Sequence, residues 1–130
     1  MYKEMILEIL LILVAAATFI SVHEVGHFIP AAMFGLDPEF VLGDPSASGF
    51  LTLKMGVSFQ NTNNPIEHLF ILLGALVPPV ILGSILSFSK NHYAKLFATV
   101  FLILGLLTFI PLPMQGVDAN ILYRTILELI

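Results

Sequence analysis

The chain has 130 residues, of which 58% are hydrophobic and 11% are charged, and its mean hydropathy is +0.98. This length allows one domain, and the composition excludes an ordinary water-soluble one, so we expect an integral membrane protein. The formal net charge of −4, without any block of like charges, gives no reason to expect a nucleic-acid partner. The chain has no cysteine, so disulfides and thiolate metal sites are excluded, and any metal ligands must be His, Asp or Glu.

The first apolar segment, at about residues 4–34, is long enough to cross a membrane, because about 20 apolar residues span the hydrocarbon core. Its start has some features of a signal peptide, since Lys3 precedes the apolar run. The run is long for such a peptide, and Glu4 and Glu8 make its start less positive. We therefore expect a retained membrane span.

Within this same apolar segment lies the pattern His23-Glu24-Val25-Gly26-His27. On a helix, histidines four residues apart share one face and can bind one zinc ion, with Glu24 beside them as a general base. Such polar groups are costly inside a membrane unless they have partners. The motif therefore predicts half of a zinc hydrolase site, and a chance match on a buried helix and a non-catalytic metal site are the alternatives.

Two small features of this segment affect how other helices approach it. Pro30 has no amide hydrogen to donate to the carbonyl of Gly26, so we expect a kink just after the motif. Gly26 has no side chain and would let another helix or a backbone approach the site closely. Helix packing alone explains this glycine equally well.

A polar stretch follows and predicts a β-hairpin at about residues 39–60. Residues 50–59 alternate between apolar and polar side chains, the period of a half-buried strand, and a segment dense in turn formers precedes them. The hairpin is either a connecting lid or an open edge that pairs with an extended substrate strand. The residues proposed for that substrate-binding edge are Phe50, Leu51, Thr52 and Leu53.

The second span is expected at about residues 66–88. Asn64 supplies an N-cap, Pro65 a first helical residue and Glu67 an acid in the first turn. We interpret the neighbouring His68 as an interfacial residue rather than a ligand.

Two consecutive prolines interrupt the hydrogen bonding of this second span. Pro78 and Pro79 leave the carbonyls of Gly74 and Ala75 without helical donors at mid-membrane depth, where such groups need another partner. A kink satisfied by neighbouring helices is one explanation, and a backbone that binds substrate is the other.

The third apolar segment, at about residues 94–130, is expected to be a broken span. Residues 95–110 would form roughly 24 Å of helix, which is short for a full crossing. The break itself is expected near Pro111–Gly116. The fold class is therefore predicted to be an α-helical membrane protein with three transmembrane segments and a small β-hairpin between the first two.

Asp118 follows this break and is the only acid between Glu67 and Glu128. An acid beside irregular backbone at membrane depth should face inward. The first and third spans run in the same direction, so Asp118 can reach the level of His23 and His27. It would then be a third ligand that leaves a fourth position open, and the alternative is an N-cap for the last helix.

These motifs resemble those of the site-2 protease family of intramembrane zinc metalloproteases. Its three-helix core carries H-E-x-x-H, then a G-P-x-x-N-like element, then P-x-P followed by L-D-G. The chain departs from this pattern: Pro78 stands at the position of the family's Asn, Ala119 replaces a Gly, and extra residues separate Pro113 from Asp118. The matching places in this chain are His23 to His27, Gly74 to Pro78, and Pro111-Leu112-Pro113 with Val117-Asp118-Ala119.

The resemblance implies a zinc metalloendopeptidase that hydrolyses peptide bonds in or near transmembrane segments of membrane-protein substrates. It implies one Zn²⁺ held by His23, His27 and Asp118, with Glu24 as the catalytic base. The substrate-binding residues implied by the second element are Gly74 and Pro78. We expect a multi-pass protein of the cell membrane in contact with the lipid bilayer.

Orientation and assembly are less defined by the sequence. Counting lysines and arginines weakly places residue 1 in the cytoplasm, whereas the family resemblance implies the reverse, and we favour the family. Three spans can hardly enclose both a site and a substrate, so a homo-oligomer or a partner protein is plausible.

The alternative function is a non-catalytic membrane protein that binds transmembrane segments and uses its metal as a structural pin. A fourth protein ligand, such as His68 or Asn120, would favour it, because structural zinc sites are closed. A metal-ion carrier would need a polar path across the bilayer, for which the spans offer few groups.

Overall fold

The computed structural model describes residues 1–43, 55–110 and 118–130. Within these ranges the chain forms four α-helices and a two-stranded sheet, which confirms the expected mostly helical fold with a small hairpin. The predicted break at Pro111–Gly116 lies outside the described residues, and so do Phe50, Leu51, Thr52 and Leu53. The elements are α1 (Tyr2–Met33), β1 (Glu39–Leu42), β2 (Met55–Ser58), α2 (Pro65–Ser87), α3 (His92–Leu107) and α4 (Asp118–Leu129).

The end of α1 redirects the chain toward the sheet. The helix continues beyond Pro30 and closes with a Schellman motif, in which the Gly35 amide donates to the Ala32 carbonyl and the Leu36 amide to the Ala31 carbonyl. Gly35 has a φ of 70°, a conformation that glycine adopts without steric cost.

The sheet packs against the C-terminal part of α1. Its strands are antiparallel, with Phe40 of β1 opposite Val57 of β2. The Phe40 ring stacks on Phe28 of α1, with ring centroids 4.7 Å apart. After β2, the Gln60 amide donates to the Leu36 carbonyl at 2.9 Å. The hairpin is thereby held over the end of α1 that carries the histidine motif.

Asparagine caps begin the next two helices. The Asn64 side chain accepts a hydrogen bond from the Ile66 amide at 3.0 Å, which confirms the predicted start of α2. The Asn91 side chain accepts one from the Tyr93 amide at 2.8 Å and starts α3.

Helix α2 contacts all three other helices. It packs against α1 and α3, which also meet each other where Phe19 contacts Phe101 edge to face at 5.6 Å. On another side it holds α4, because Leu72 and Leu76 form an apolar cluster with Leu122. The short last helix is therefore positioned chiefly by α2.

By length and composition, α1 and α2 can each cross a membrane. In the most apolar window of each helix, 11% of the residues of α1 and 33% of those of α2 are buried inside the protein. The helix α3 is apolar but shorter, with 16 residues.

Candidate metal centre

His23, His27 and Asp118 meet at one point of the structure. One ligand atom from each lies within 4.8 Å of the other two. Asp118 Oδ2 is 2.8 Å from His23 Nε2 and 3.0 Å from His27 Nε2. The three residues that the sequence analysis put forward as ligands therefore form a group that could hold a metal ion.

The two histidines lie one turn apart on α1, and their ring centroids are 4.9 Å apart. His27 is buried, and its Nδ1 lies 3.2 Å from the Ile71 carbonyl oxygen of α2. A carbonyl can only accept, so Nδ1 carries the proton in this contact. In the neutral ring with this tautomer, the lone pair of Nε2 points toward Asp118, and this is the form of histidine that binds a metal.

His23 is held by packing instead. Its ring stacks on that of Phe19, one turn earlier in α1, with centroids 6.0 Å apart and an interplanar angle of 20°. Among the residues that the structure describes, no group hydrogen-bonds to the buried His23 Nδ1. A metal-binding histidine usually donates its second nitrogen to a partner, so the two histidines are oriented by different means.

Asp118 is the first residue of α4, and its side chain is 23% exposed. Two contacts fix this helix. Leu122 enters the apolar cluster on α2, and the Tyr123 hydroxyl donates to the Phe109 carbonyl at 2.9 Å. Asp118 is thus delivered to the histidines by tertiary packing over long sequence separations, 95 residues from His23 and 91 from His27.

Glu24 lies beside the ligand group and is partly exposed. The backbone of Val57 in β2 lies close enough to interact with its carboxylate. The sheet, which contacts α1, therefore passes next to the predicted general base.

The other predicted site residues lie around this centre without joining it. Gly74 lies against Gly26 where α1 and α2 cross. Pro78 lines an apolar cleft of about 480 Å³ between the same helices, together with Val25. His68, half-buried near the start of α2, does not belong to the ligand group found in the described part of the chain, and Asn120 is half-buried on α4.

Three residues that position the centre escaped the sequence analysis. Ile71 and Val57 act through backbone groups, which have no side-chain signature in a sequence. Phe19 had a usable signal, because it lies four residues before His23 and so on the same helical face.

The three candidate ligand atoms suit a divalent metal ion. With a neutral His27 ring protonated on Nδ1, the Nε2 atom and the Asp118 carboxylate are both acceptors, and their atoms are 3.0 Å apart. Two acceptors at this distance need a shared proton or a cation between them. Two imidazole nitrogens and one carboxylate oxygen are also a ligand set used in catalytic zinc sites.

No family model matches the chain, and neither the curated proteins nor the solved structures compared with it include a match.

Proposed function

We propose that this protein is an integral membrane zinc metalloprotease of the site-2 protease type, which hydrolyses peptide bonds in or near transmembrane segments of membrane-protein substrates. One observation carries the proposal: His23 and His27 of an apolar helix meet Asp118 from a distant part of the chain. The motif glutamate, Glu24, lies next to them.

The surface of the helices supports a membrane location. The core helix of a soluble protein is mostly buried, whereas only 11% of the apolar window of α1 and 33% of that of α2 are buried. Water would make so much exposed apolar surface costly, and lipid does not. We infer that α1 and α2 cross the membrane.

We further propose that α3 and α4 together make a third crossing. A helix of 16 residues is roughly 24 Å long, less than the ~30 Å of the hydrocarbon core. The second part, α4, has 12 residues and starts with Asp118. The protein would then be a multi-pass protein of the cell membrane, with the ligand group below the lipid surface.

Each residue of the centre has a separate role in the proposed reaction. Zinc, when bound, supplies Lewis-acid chemistry, since it polarises a carbonyl oxygen and lowers the pKa of water toward ~7. The ligand group would hold it and leave one position for a reactant. Glu24 takes the proton of the attacking water as oxygen bonds to the scissile carbonyl carbon, and gives it to the amine as the C–N bond breaks.

The sheet offers a place for the substrate chain. The strand β2 pairs with β1 on one side, and the backbone of Val57 in β2 interacts with Glu24. An extended peptide that pairs with a sheet edge is held by main-chain hydrogen bonds. A helical substrate segment must unwind first, because its own helix occupies its carbonyls.

A closed structural metal site is the competing interpretation of the same ligands. Structural zinc sites have four protein ligands, and the ligand group among the described residues has three, without His68. A group of three among the His, Asp and Glu side chains of the described residues supports the proposal of an open, catalytic site.

The decisive experiment changes Glu24 to Gln in the full chain. Purified protein in lipid vesicles is assayed for zinc content and for cleavage of a membrane-anchored reporter. We expect zinc content to persist and the cleavage rate to fall roughly 10²–10⁴-fold, the usual contribution of a general base. Unchanged cleavage with zinc retained would refute the role of Glu24.

The matched control is Glu8→Gln, the same change near the other end of α1. Among the described residues Glu8 pairs with the exposed His92, at 3.1 Å, and it lies 15 residues before His23 in α1. Its cleavage rate should equal that of the unaltered protein.

A further inference from the structure

The crossing of α1 and α2 is built from a repeated sequence element. Gly26 precedes Pro30 by four residues in α1, and Gly74 precedes Pro78 by four in α2. A carbon added to Gly26 would overlap the Gly74 carbonyl oxygen, and one added to Gly74 would lie 2.5 Å from the Gly26 carbonyl oxygen. Each glycine therefore presents its Cα to the carbonyl of the other.

The prolines explain why these two carbonyls are available. Pro30 and Pro78 have no amide hydrogen, so the carbonyls of Gly26 and Gly74 lose their helical donors. An unpaired carbonyl is costly in a lipid environment. In this crossing each carbonyl faces a glycine Cα–H, which is a weak hydrogen-bond donor that recurs where helices approach closely. The partner that the sequence analysis required for the Gly74 carbonyl is thus the opposite helix.

The same crossing lies next to the ligands. Gly26 immediately precedes His27, and Gly74 is three residues after Ile71, whose carbonyl accepts from His27 Nδ1 at 3.2 Å. One face of α2 thus contacts α1, the helix that carries the histidines. Leu72 and Leu76 of α2 contact Leu122 of α4, the helix that begins with Asp118. The separation of α1 and α2 therefore sets the distance between the histidines and the aspartate.

We propose that the paired Gly-x₃-Pro crossing is a positioning element of the metal centre. Gly26 and Gly74, with the carbonyls that Pro30 and Pro78 free, hold the ligands in place without touching the ion. This inference rests on the proposed metal centre, and it gives Gly74 a role other than contact with substrate. It also explains how α2 governs the centre although it contributes no ligand from the described residues.

The test compares Gly74→Ala with Gly83→Ala in the same helix. The three atoms nearest to a carbon added to Gly83 belong to side chains, those of Phe101 and Leu102, at 3.0 to 3.2 Å. Full-length protein in detergent is titrated with Co²⁺ and Zn²⁺ against a chelator. For Gly74→Ala we expect metal affinity to fall roughly 10–100-fold, as when a group that orients a metal ligand is lost. The visible Co²⁺ spectrum should change as well, and Gly83→Ala should alter neither.

Pro78→Ala provides a second variant that does not depend on tolerance of a methyl group at the crossing. It restores an amide donor to the Gly74 carbonyl inside α2, so the helix becomes more regular while the contact with Gly26 is weakened. We expect helix content by circular dichroism to be retained and Co²⁺ affinity to fall.

The outcomes separate the two proposals. A folded Gly74→Ala protein with unchanged metal affinity and an unchanged Co²⁺ spectrum would refute the positioning role of the crossing but not the metal centre. Should Gly74→Ala not fold, Pro78→Ala decides, with lower affinity supporting the role of the crossing and unchanged affinity refuting it. An unaltered protein that binds neither ion would overturn the metal centre and the inference together.

Discussion

The two regions that supply the candidate ligands reach the same point in different ways. His23 and His27 belong to one continuous helix of 32 residues, so their relation follows from helical geometry alone. Asp118 begins a helix of 12 residues and depends on contacts with a neighbour. The histidine half of the centre is therefore a local property of the sequence, whereas the aspartate half is a property of the tertiary packing.

This difference assigns α2 a central place. The Ile71 carbonyl of α2 accepts a hydrogen bond from His27 Nδ1. The helix α2 also holds α4 through the apolar cluster that includes Leu122. Changes in α2 or α4 should therefore separate the aspartate from the histidines without affecting the spacing of the histidines themselves. The size of the effect should depend on how directly each change acts on Asp118.

Removal of the distant ligand should have the largest effect. Asp118→Ala leaves two histidine ligands, and we expect zinc affinity to fall by more than the roughly 10–100-fold that loss of an orienting group costs. The measurement is zinc content after dialysis, with circular dichroism to verify the helices.

Glu4→Ala is the control for that change, because Glu4 is an exposed acid in the first turn of α1, outside the ligand group. It should leave zinc content unaltered. Equal zinc content in the Asp118→Ala protein would remove Asp118 from the ligand set and contradict the comparison of the two regions.

Weakening the attachment of α4 should have an intermediate effect. Leu122 is 4% exposed, and Leu122→Ala should destabilise the docking of α4 by about 2–5 kcal/mol. Hydrogen exchange of the α4 amides should accelerate, and zinc affinity should decrease although every ligand is still present.

Leu127→Ala makes the same change at a position of α4 where the side chain is 74% exposed. If both leucine variants lowered zinc affinity equally, the apolar cluster would not be what positions Asp118.

The sequence predicted the local features of this protein better than the contacts between distant residues. The length of the apolar runs predicted the long helices, and alternation with turn residues predicted the hairpin. The Asn64 cap of α2 is confirmed by its hydrogen bond to Ile66. These features are local, so neighbouring residues encode them. The meeting of Asp118 with the histidines was suggested by comparing depths along the spans and by the family resemblance, and not by any local pattern.

Backbone contacts account for most of what sequence reasoning did not find. The prolines of α2 indicated that the Gly74 carbonyl needs a partner, but they did not identify Gly26 as that partner. The Ile71 carbonyl and the Val57 amide gave no signal at all, since every residue other than proline has both groups. Their use at the centre depends on how the helices and the sheet pack.

The smallest effect is expected from removing a single hydrogen bond between α4 and the residues that follow α3. The Tyr123 hydroxyl of α4 donates to the Phe109 carbonyl, just after the end of α3, at 2.9 Å. Tyr123→Phe keeps the ring and removes only this bond, so α4 docking should weaken by about 0.5–1.5 kcal/mol. Exchange of the α4 amides should accelerate slightly, with zinc affinity reduced less than in Leu122→Ala.

Tyr93→Phe serves as the control, because Tyr93 is 42% exposed at the start of α3, away from α4. It should leave exchange in α4 unchanged. A Tyr123→Phe effect as large as that of Leu122→Ala would mean that the polar link, rather than apolar packing on α2, determines where Asp118 lies. The aspartate half would then depend on α3, and α2 would position only the histidines.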